Sequence, residues 1–221
     1  MSDYGRQTFQ YSDIAEEIAK LHILFANTGI RKGDKIAICS RNMSRWGVAF
    51  LATLTYGAVA VPILHEFHPE QVHHIVNHSE SRILFVGDLV WKKLDAKEMP
   101  DLEGIVQLND WTLLSAKNKK LKDTVENLNR CFGEKYPASF GQKDLAYHAD
   151  EPEELAIINY TSGTTSNSKG VMIPYRAIVG NMMCAGELIG NNAKAGDTLL
   201  SMLPLAHTLG MSFEFLVEFV W

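Results

Sequence analysis

The stretch of sequence that decides the fold reads Tyr160-Thr161-Ser162-Gly163-Thr164-Thr165-Ser166-Asn167-Ser168-Lys169-Gly170. Between Thr161 and Ser168, six of the eight side chains carry a hydroxyl group. A strand-like apolar segment, residues 155–159, precedes this run, and a second one, residues 171–173, follows it. Backbone N–H groups and hydroxyls in such a loop can point at a polyanion, and the lysine adds a positive charge. The pattern therefore predicts a loop between two strands that binds nucleotide phosphates, as in an ATP-using enzyme.

Two other interpretations of this run are a solvated linker and a kinase-type phosphate loop. Stretches rich in serine, threonine and glycine are most often solvated loops or linkers, but a linker seldom joins two buried strands directly. The kinase-type pattern GxxxxGK[ST], counted from Gly163, requires glycine at 168 and serine or threonine at 170. The chain has Ser168 and Gly170 instead. This mismatch argues against a Walker-type NTPase.

The run resembles YTSGTTGxPKG, the signature of the adenylate-forming superfamily, which includes acyl-CoA synthetases, luciferases and the adenylation domains of peptide synthetases. The match covers residues 160–165 and 169–172. It departs at Ser166, where the family usually has glycine, at Ser168, where it usually has proline, and at Tyr175, which is often histidine. Both serines are small, so these departures bear on the mobility of the loop rather than on the resemblance.

Further segments resemble the same superfamily in the same order along the chain. Residues 33–38 read GDKIAI, residues 49–52 read AFLA, and residues 57–62 read GAVAVP, each similar to a family segment. Residues 203–207 read LPLAH, which resembles a motif of the long-chain acyl-CoA synthetase branch, and residues 71–75 resemble that branch as well. The chain is thus similar to the N-terminal part of a long-chain fatty acid–CoA ligase.

The resemblance implies an activity and a set of site residues. The implied activity is ATP-dependent activation of a fatty acid, of the long-chain class in this branch, to an acyl-adenylate and then to acyl-CoA. It uses ATP and Mg²⁺, with coenzyme A as co-substrate. Thr164 is implied to lie beside the magnesium ion, and His207 to help place the substrate carboxylate. The residues implied to bind ATP are Thr161, Ser162, Gly163, Thr164, Thr165, Ser166, Lys169 and Gly170.

Several alternatives stay open on the residues alone. The enzyme could pass its acyl group to a carrier protein or to oxygen rather than to CoA. A decayed loop would instead leave a non-catalytic nucleotide-binding module. Lys169 could be an ordinary solvated lysine, and His207 could be a core or surface histidine. The histidines of residues 65–78 favour a solvated helix face over a metal site, because no nearby cysteine and no second pair of matching spacing accompany them.

Composition narrows the class of protein. The chain has 221 residues, of which 46% are hydrophobic and 21% charged, and its net charge is −5; these values are typical of a soluble globular protein. No basic stripe is present, which argues against a nucleic-acid partner. The scattered cysteines, Cys39, Cys131 and Cys184, are typical of a reducing compartment, so we expect a cytoplasmic protein. Peripheral contact with a membrane and oligomerisation stay open.

Strand and helix patterns alternate along the chain, which predicts a doubly wound, mainly parallel α/β sheet flanked by helices. Residues 198–203 are predicted to form a strand. Residues 116–154 are polar, and within them residues 117–120 and 150–154 are predicted to be exposed surface and a connector. We expect a first α/β lobe over residues 1–150 and the start of a second lobe, with the phosphate loop, over residues 151–221. The apolar, helix-like residues 209–221 indicate an incomplete N-terminal part of a large domain, inactive on its own.

Local signals predict where the first helices begin and end. Asp13 and Glu16 have the spacing of a capping box, and Gly29 is placed to end the same helix. Ser44 is predicted to cap a second helix. The uncharged residues 46–65 are better explained by that helix and a following buried strand than by a membrane span.

Overall fold

The computed structural model describes residues 1, 8–161, 168–189, 194 and 196–219. The strands in that part of the chain are β1 (Lys35–Ser40), β2 (Val59–Leu64), β3 (Ser81–Val86), β4 (Gly104–Gln107), β5 (Leu113–Ala116), β6 (Leu155–Thr161) and β7 (Lys169–Pro174). The α-helices are α1 (Tyr11–Thr28), α2 (Ser44–Thr55), α3 (Pro69–His78), α4 (Asp88–Trp91), α5 (Lys119–Glu126), α6 (Leu128–Lys135), α7 (Tyr175–Ile189) and α8 (Thr208–Phe213). Short 3-10 helices cover Ala96–Glu98, Gln142–Asp144 and Leu216–Phe219.

The described strands form one seven-stranded sheet in the order β5-β4-β3-β1-β2-β6-β7. β1 pairs in parallel with both β2 and β3, and further parallel pairs join β3 to β4 and β2 to β6. The edge strands β5 and β7 run antiparallel to their neighbours. Strands are thus added on both sides of β1, as in a doubly wound sheet, where ligands bind beyond the carboxyl ends of the strands. The predicted fold class is confirmed.

Helices cover both faces of the sheet, and for that reason its central strands are apolar on both sides. Along β1, Ile36 and Ile38 belong to the core that α1 and α2 complete, whereas Ala37 and Cys39 belong to the core beneath α3. All four residues are fully buried. Burial raises the pKa of the Cys39 thiol to about 12, so this cysteine stays protonated and acts as a small apolar side chain.

The ends of α1 follow from local hydrogen bonds. The backbone N–H of Gln10 donates to the Asp13 carboxylate at 2.8 Å, and these two residues form the capping box. The predicted box of Asp13 and Glu16 is therefore wrong: the helix begins at Tyr11, so Asp13 is already its third residue. At the other end the backbone of Gly29 has a φ of 74°, a left-handed conformation that glycine adopts without strain.

The uncharged residues 46–65 divide between a helix and a strand, as predicted. α2 begins at Ser44 with Met43 in the cap position, so the predicted Ser44 cap is wrong by one residue. Gly57, with a φ of 82°, then turns the chain into the buried strand β2. Within the described ranges, no helix is long and apolar enough to cross a membrane.

The polar residues 116–154 contain more structure than predicted. Leu121 and Val125, four residues apart on α5, are buried in the same core as α1. The side chain of Asn118 caps α5 by accepting from the N–H of Leu121 at 2.8 Å. Two apolar side chains on one face are enough to dock this short helix, while residues 117–120 and 150–153 are exposed, as predicted.

Residues 198–203 form no strand, contrary to the prediction. The carboxylate of Glu214 accepts from the backbone N–H groups of Met202 and Leu203, each at 2.8 Å. In a strand, these backbone N–H groups would donate to the carbonyls of a neighbouring strand. The carboxylate of Glu214 accepts from them instead.

A lobe boundary near residue 150 stays a prediction. The strand β6, which follows that point, pairs with β2, which precedes it. The carboxylate of Glu154 binds Lys32 Nζ at 2.9 Å and His148 Nε2 at 3.1 Å. Desolvation raises the pKa of Glu154, but these hydrogen bonds lower it to about 2. The cluster ties the segment before β6 to the turn before β1.

Candidate active site

The strands β6 and β7 form a hairpin that holds the two ends of the hydroxyl-rich run. In their antiparallel register Tyr160 faces Gly170, and Thr161 faces Lys169. Because β6 runs parallel to β2, the end of β6 lies at the carboxyl edge of the parallel sheet, where such sheets bind ligands. Of the predicted ATP-binding residues, Ser162, Gly163, Thr164, Thr165 and Ser166 lie outside the described residues. The prediction that the run joins two strands is confirmed.

Thr161 and Lys169 stand at the ends of the hairpin strands, and both are exposed. Because Lys169 is exposed, its ammonium group can contact a phosphate bound at this edge without any rearrangement of the core. His65 directly follows β2, which ends at the same edge of the sheet. Burial lowers the pKa of His65; Glu66 raises it, and the positive charges of Arg41 and Lys93 lower it again. Arg41, which directly follows β1, and Lys169 therefore place positive charge at this carboxyl edge, which suits an anionic ligand.

Tyr160 anchors the end of the hairpin next to the hydroxyl-rich run. The residue is 4% exposed, and its hydroxyl lies 2.7 Å from Nδ1 of His78 on α3. Burial raises the pKa of the Tyr160 phenol. The backbone of Gly170 passes close to this ring: a Cβ placed there would lie 3.1 Å from Tyr160 Cζ and 2.9 Å from Ile158 Cγ2. A side chain at 170 would therefore force Ile158 or Tyr160 to shift, so packing favours glycine at this position.

The LPLAH segment is held at the same carboxyl edge by Asn42, which lies just beyond β1. The Asn42 side-chain amide donates to the carbonyl of Leu203 at 2.7 Å and to Oγ of Ser201 at 3.3 Å, and its oxygen accepts from the N–H of Leu205 at 2.9 Å. From the other side, the side chain of Asn159 on β6 donates to the carbonyl of Ala206 at 3.3 Å. The segment therefore bridges the ends of β1 and β6.

His207 is exposed and stands immediately before α8. The backbone N–H of Leu209 donates to His207 Nδ1 at 3.2 Å. Because Nδ1 accepts, the proton of the neutral ring is on Nε2, which leaves Nε2–H as a hydrogen-bond donor. The residue comes after the bridged segment at the carboxyl edge, and not after a strand as the sequence suggested.

Sequence reasoning did not identify Asn42, Asn159 or His78 as residues of this region. Asn42 and Asn159 could have been identified from the sequence. Asn42 follows β1 and Asn159 lies near the end of β6, and polar residues at these strand ends lie at the binding edge. His78 gave no such signal, because its partner Tyr160 is 82 residues away in sequence. The described residues contain no group of three or more His, Cys, Asp or Glu side chains that could hold a metal ion.

The chain belongs to the AMP-binding enzyme family, whose sequence profile matches residues 1–220. It is 30% identical over 224 residues to long-chain-fatty-acid–CoA ligase 1 of Homo sapiens. The aligned region covers 93% of this chain and 30% of that protein. It is 24% identical over 226 residues to luciferin 4-monooxygenase of Photuris pensylvanica, covering 95% of this chain and 38% of that protein. The resemblance found in the sequence is confirmed.

A solved structure has the same fold. The crystal structure of ATP-bound MatB from Rhodopseudomonas palustris matches 97% of this chain and 39% of that chain with a TM-score of 0.74 and 19% identity. At that identity the likeness concerns the fold alone. The chain spans 30% and 38% of the length of the two curated relatives named above.

Proposed function

We propose that the full-length protein activates a fatty acid with ATP, forming an acyl-adenylate and pyrophosphate, and then transfers the acyl group to coenzyme A with release of AMP. The observation that carries this proposal is the β6–β7 hairpin at the carboxyl edge of the sheet, with the family's hydroxyl-rich run between its strands and exposed Lys169 at its end. Membership of the AMP-binding enzyme family supports the adenylation step.

The run from Thr161 to Gly170 is proposed to hold the triphosphate. Lys169 supplies charge to the β- and γ-phosphates, and the residues 162–166 supply hydroxyl and N–H donors. Thr164 is proposed to lie beside Mg²⁺, which neutralises charge on the departing pyrophosphate when it is bound. Phosphoryl and nucleotidyl transfer need little covalent chemistry from the protein, so positioning and charge stabilisation supply most of the catalysis.

His207 is proposed to orient the carboxylate of the fatty acid. Its Nε2–H donor suits one carboxylate oxygen, while the other oxygen attacks the α-phosphorus and the bond to pyrophosphate breaks. In the second step the thiolate of CoA attacks the acyl carbonyl, and the carbonyl carbon loses AMP. Alignment of the two reactants can contribute several kcal/mol to such a reaction.

The proposed length of the acyl chain and the proposed acyl acceptor are inferred from similarity to relatives. The human relative is named as a long-chain-fatty-acid–CoA ligase, which supports a long fatty acid and CoA. The relative from Photuris pensylvanica is named as a luciferin 4-monooxygenase, which keeps a second candidate in view: adenylation followed by transfer to an acceptor other than CoA. We also propose the division into lobes at residues 1–150 and 151–221.

Product analysis tests the proposal. The full-length protein is incubated with ATP, Mg²⁺, CoA and fatty acids of increasing chain length, and the nucleotide and thioester products are separated by chromatography. We expect AMP and acyl-CoA in equal amounts, with a preference for long chains. AMP-linked acid without any thioester would favour the second candidate, and formation of ADP would contradict adenylation altogether.

A further inference from the structure

Asn42 uses both the nitrogen and the oxygen of its side-chain amide against one segment of chain more than 150 residues away in sequence. Its nitrogen donates to the Leu203 carbonyl at 2.7 Å and to Ser201 Oγ at 3.3 Å, and its oxygen accepts from the Leu205 N–H at 2.9 Å. Only a side chain with both a donor and an acceptor can bind a carbonyl and an N–H of the same segment in this way.

These bonds fix the turn from which His207 emerges. Leu203 and Leu205 flank Pro204, and the carbonyl of Pro204 accepts from the His207 N–H at 2.9 Å. The same carbonyl lies against Gly210 of α8, where a Cβ would come within 2.6 Å of it. The backbone before His207 is thus held by Asn42 from the end of β1 and is packed against α8 on its other side.

We propose that Asn42 is a positioning residue for His207, setting the place from which Nε2–H of His207 meets the substrate carboxylate. This inference rests on the proposed function, since it assigns a role within the same site. Asn42 acts through the backbone of residues 203–205 and does not itself touch the substrate. Loss of its amide therefore alters binding of the acid and the adenylation rate, while the binding of ATP to the β6–β7 hairpin is retained.

A double-mutant cycle on the full-length protein tests this role. Carboxylate-dependent ATP–pyrophosphate exchange is measured for wild type, Asn42→Ala, His207→Ala and the double variant. The control is Asn77→Ala, which removes a similar side-chain bond, from Asn77 to the carbonyl of Glu98 at 2.8 Å, away from the site. We expect Asn42→Ala to lower kcat/KM for the acid about 10-fold in the wild-type background and less than about 2-fold in His207→Ala.

Hydrogen–deuterium exchange supplies a readout that does not depend on activity. Asn42→Ala is expected to speed amide exchange in the peptide spanning residues 203–209, and Asn77→Ala to leave that peptide unchanged. Equal losses from Asn42→Ala in both backgrounds, unchanged exchange of the peptide, or a large rise in KM for ATP would each overturn the positioning role. A wild-type protein without any carboxylate-dependent exchange would overturn the proposed function instead, and with it the role of Asn42 in placing the substrate carboxylate.

Discussion

The side-chain amide of Asn159 donates to the backbone carbonyl of Ala206 at 3.3 Å. Asn159 lies two residues before the end of β6, and Ala206 directly precedes His207. One hydrogen bond therefore connects the strand that leads into the hydroxyl-rich run with the segment that carries the histidine. In the proposed reaction these two parts hold the triphosphate and the carboxylate, so their separation governs in-line attack.

The exposed Lys169 is expected to contribute charge to ATP binding. Lys169→Met removes that charge and keeps most of the side-chain volume, so KM for ATP should rise about 10-fold to 100-fold, as for the loss of a charge-assisted hydrogen bond. Initial rates against ATP concentration measure this. The matched control is Lys120→Met, which removes an exposed lysine of α5. Equal KM values for both variants would show that Lys169 is only a solvated lysine.

Gly170 is expected to tolerate no side chain. A Cβ there would lie 2.9 Å from Ile158 Cγ2 and 3.1 Å from Tyr160 Cζ, so Gly170→Ala should destabilise the protein by about 1–3 kcal/mol. Gly133→Ala on α6 is the control, because a Cβ at that position meets nothing within 4 Å and alanine favours a helix. Denaturation midpoints measure both. A wild-type midpoint for Gly170→Ala would contradict the packing of Tyr160 over this glycine.

The hydrogen bond between Tyr160 and His78 is expected to stabilise the end of the hairpin next to the hydroxyl-rich run. Tyr160→Phe removes the hydroxyl that lies 2.7 Å from His78 Nδ1, and should lower the free energy of unfolding by about 1 kcal/mol. Tyr11→Phe, at an exposed tyrosine, should change it by less than about 0.5 kcal/mol. In a His78→Leu background the Tyr160→Phe substitution should cost much less. An unchanged cost in that background would mean that the two side chains are not coupled.

The half-buried His22 is expected to make stability fall on acidification. Its Nε2 lies 3.1 Å from both the Ala52 carbonyl and Thr55 Oγ1. Burial and, to a smaller extent, the charge of Lys135 lower the pKa of His22 from 6.5 to about 4, against the hydrogen bond to Ala52, which raises it. Below pH 6.5 the His22 ring is protonated in the unfolded chain, whereas in the folded protein it is protonated only near pH 4. The free energy of unfolding therefore declines through this window, by about 3 kcal/mol in all.

Replacing His22 measures that decline. Denaturation midpoints of wild type and His22→Gln are compared at pH 7.5 and pH 4.5, and the variant should lose less stability between them. The matched control is His68→Gln, at an exposed histidine. The same pH dependence in wild type and His22→Gln would show that the ring at position 22 is protonated as easily in the folded as in the unfolded protein.

The sequence alone was sufficient for the fold class and for most of the elements that build the site. The apolar residues 155–159 and 171–173 predicted the strands β6 and β7, and the alternation of strand and helix patterns predicted the parallel part of the sheet. The antiparallel pairing of β6 with β7 was not predicted. Glu214 shows what could not be predicted: its carboxylate bonds to Met202 and Leu203 replaced a predicted strand. The bonds of Asn42 and Asn159 to residues 201–206 were equally hidden, since they join residues far apart in sequence.

The most direct test of the central claim is ATP–pyrophosphate exchange by the full-length protein, measured with and without fatty acids of different chain length. Exchange requires reversible formation of an acyl-adenylate and does not depend on the acyl acceptor. The account predicts exchange that needs a fatty acid and is lowered by Lys169→Met, with the 221-residue chain inactive alongside. A folded, ATP-binding protein that gives no exchange with any acid, or exchange without an acid, would contradict it.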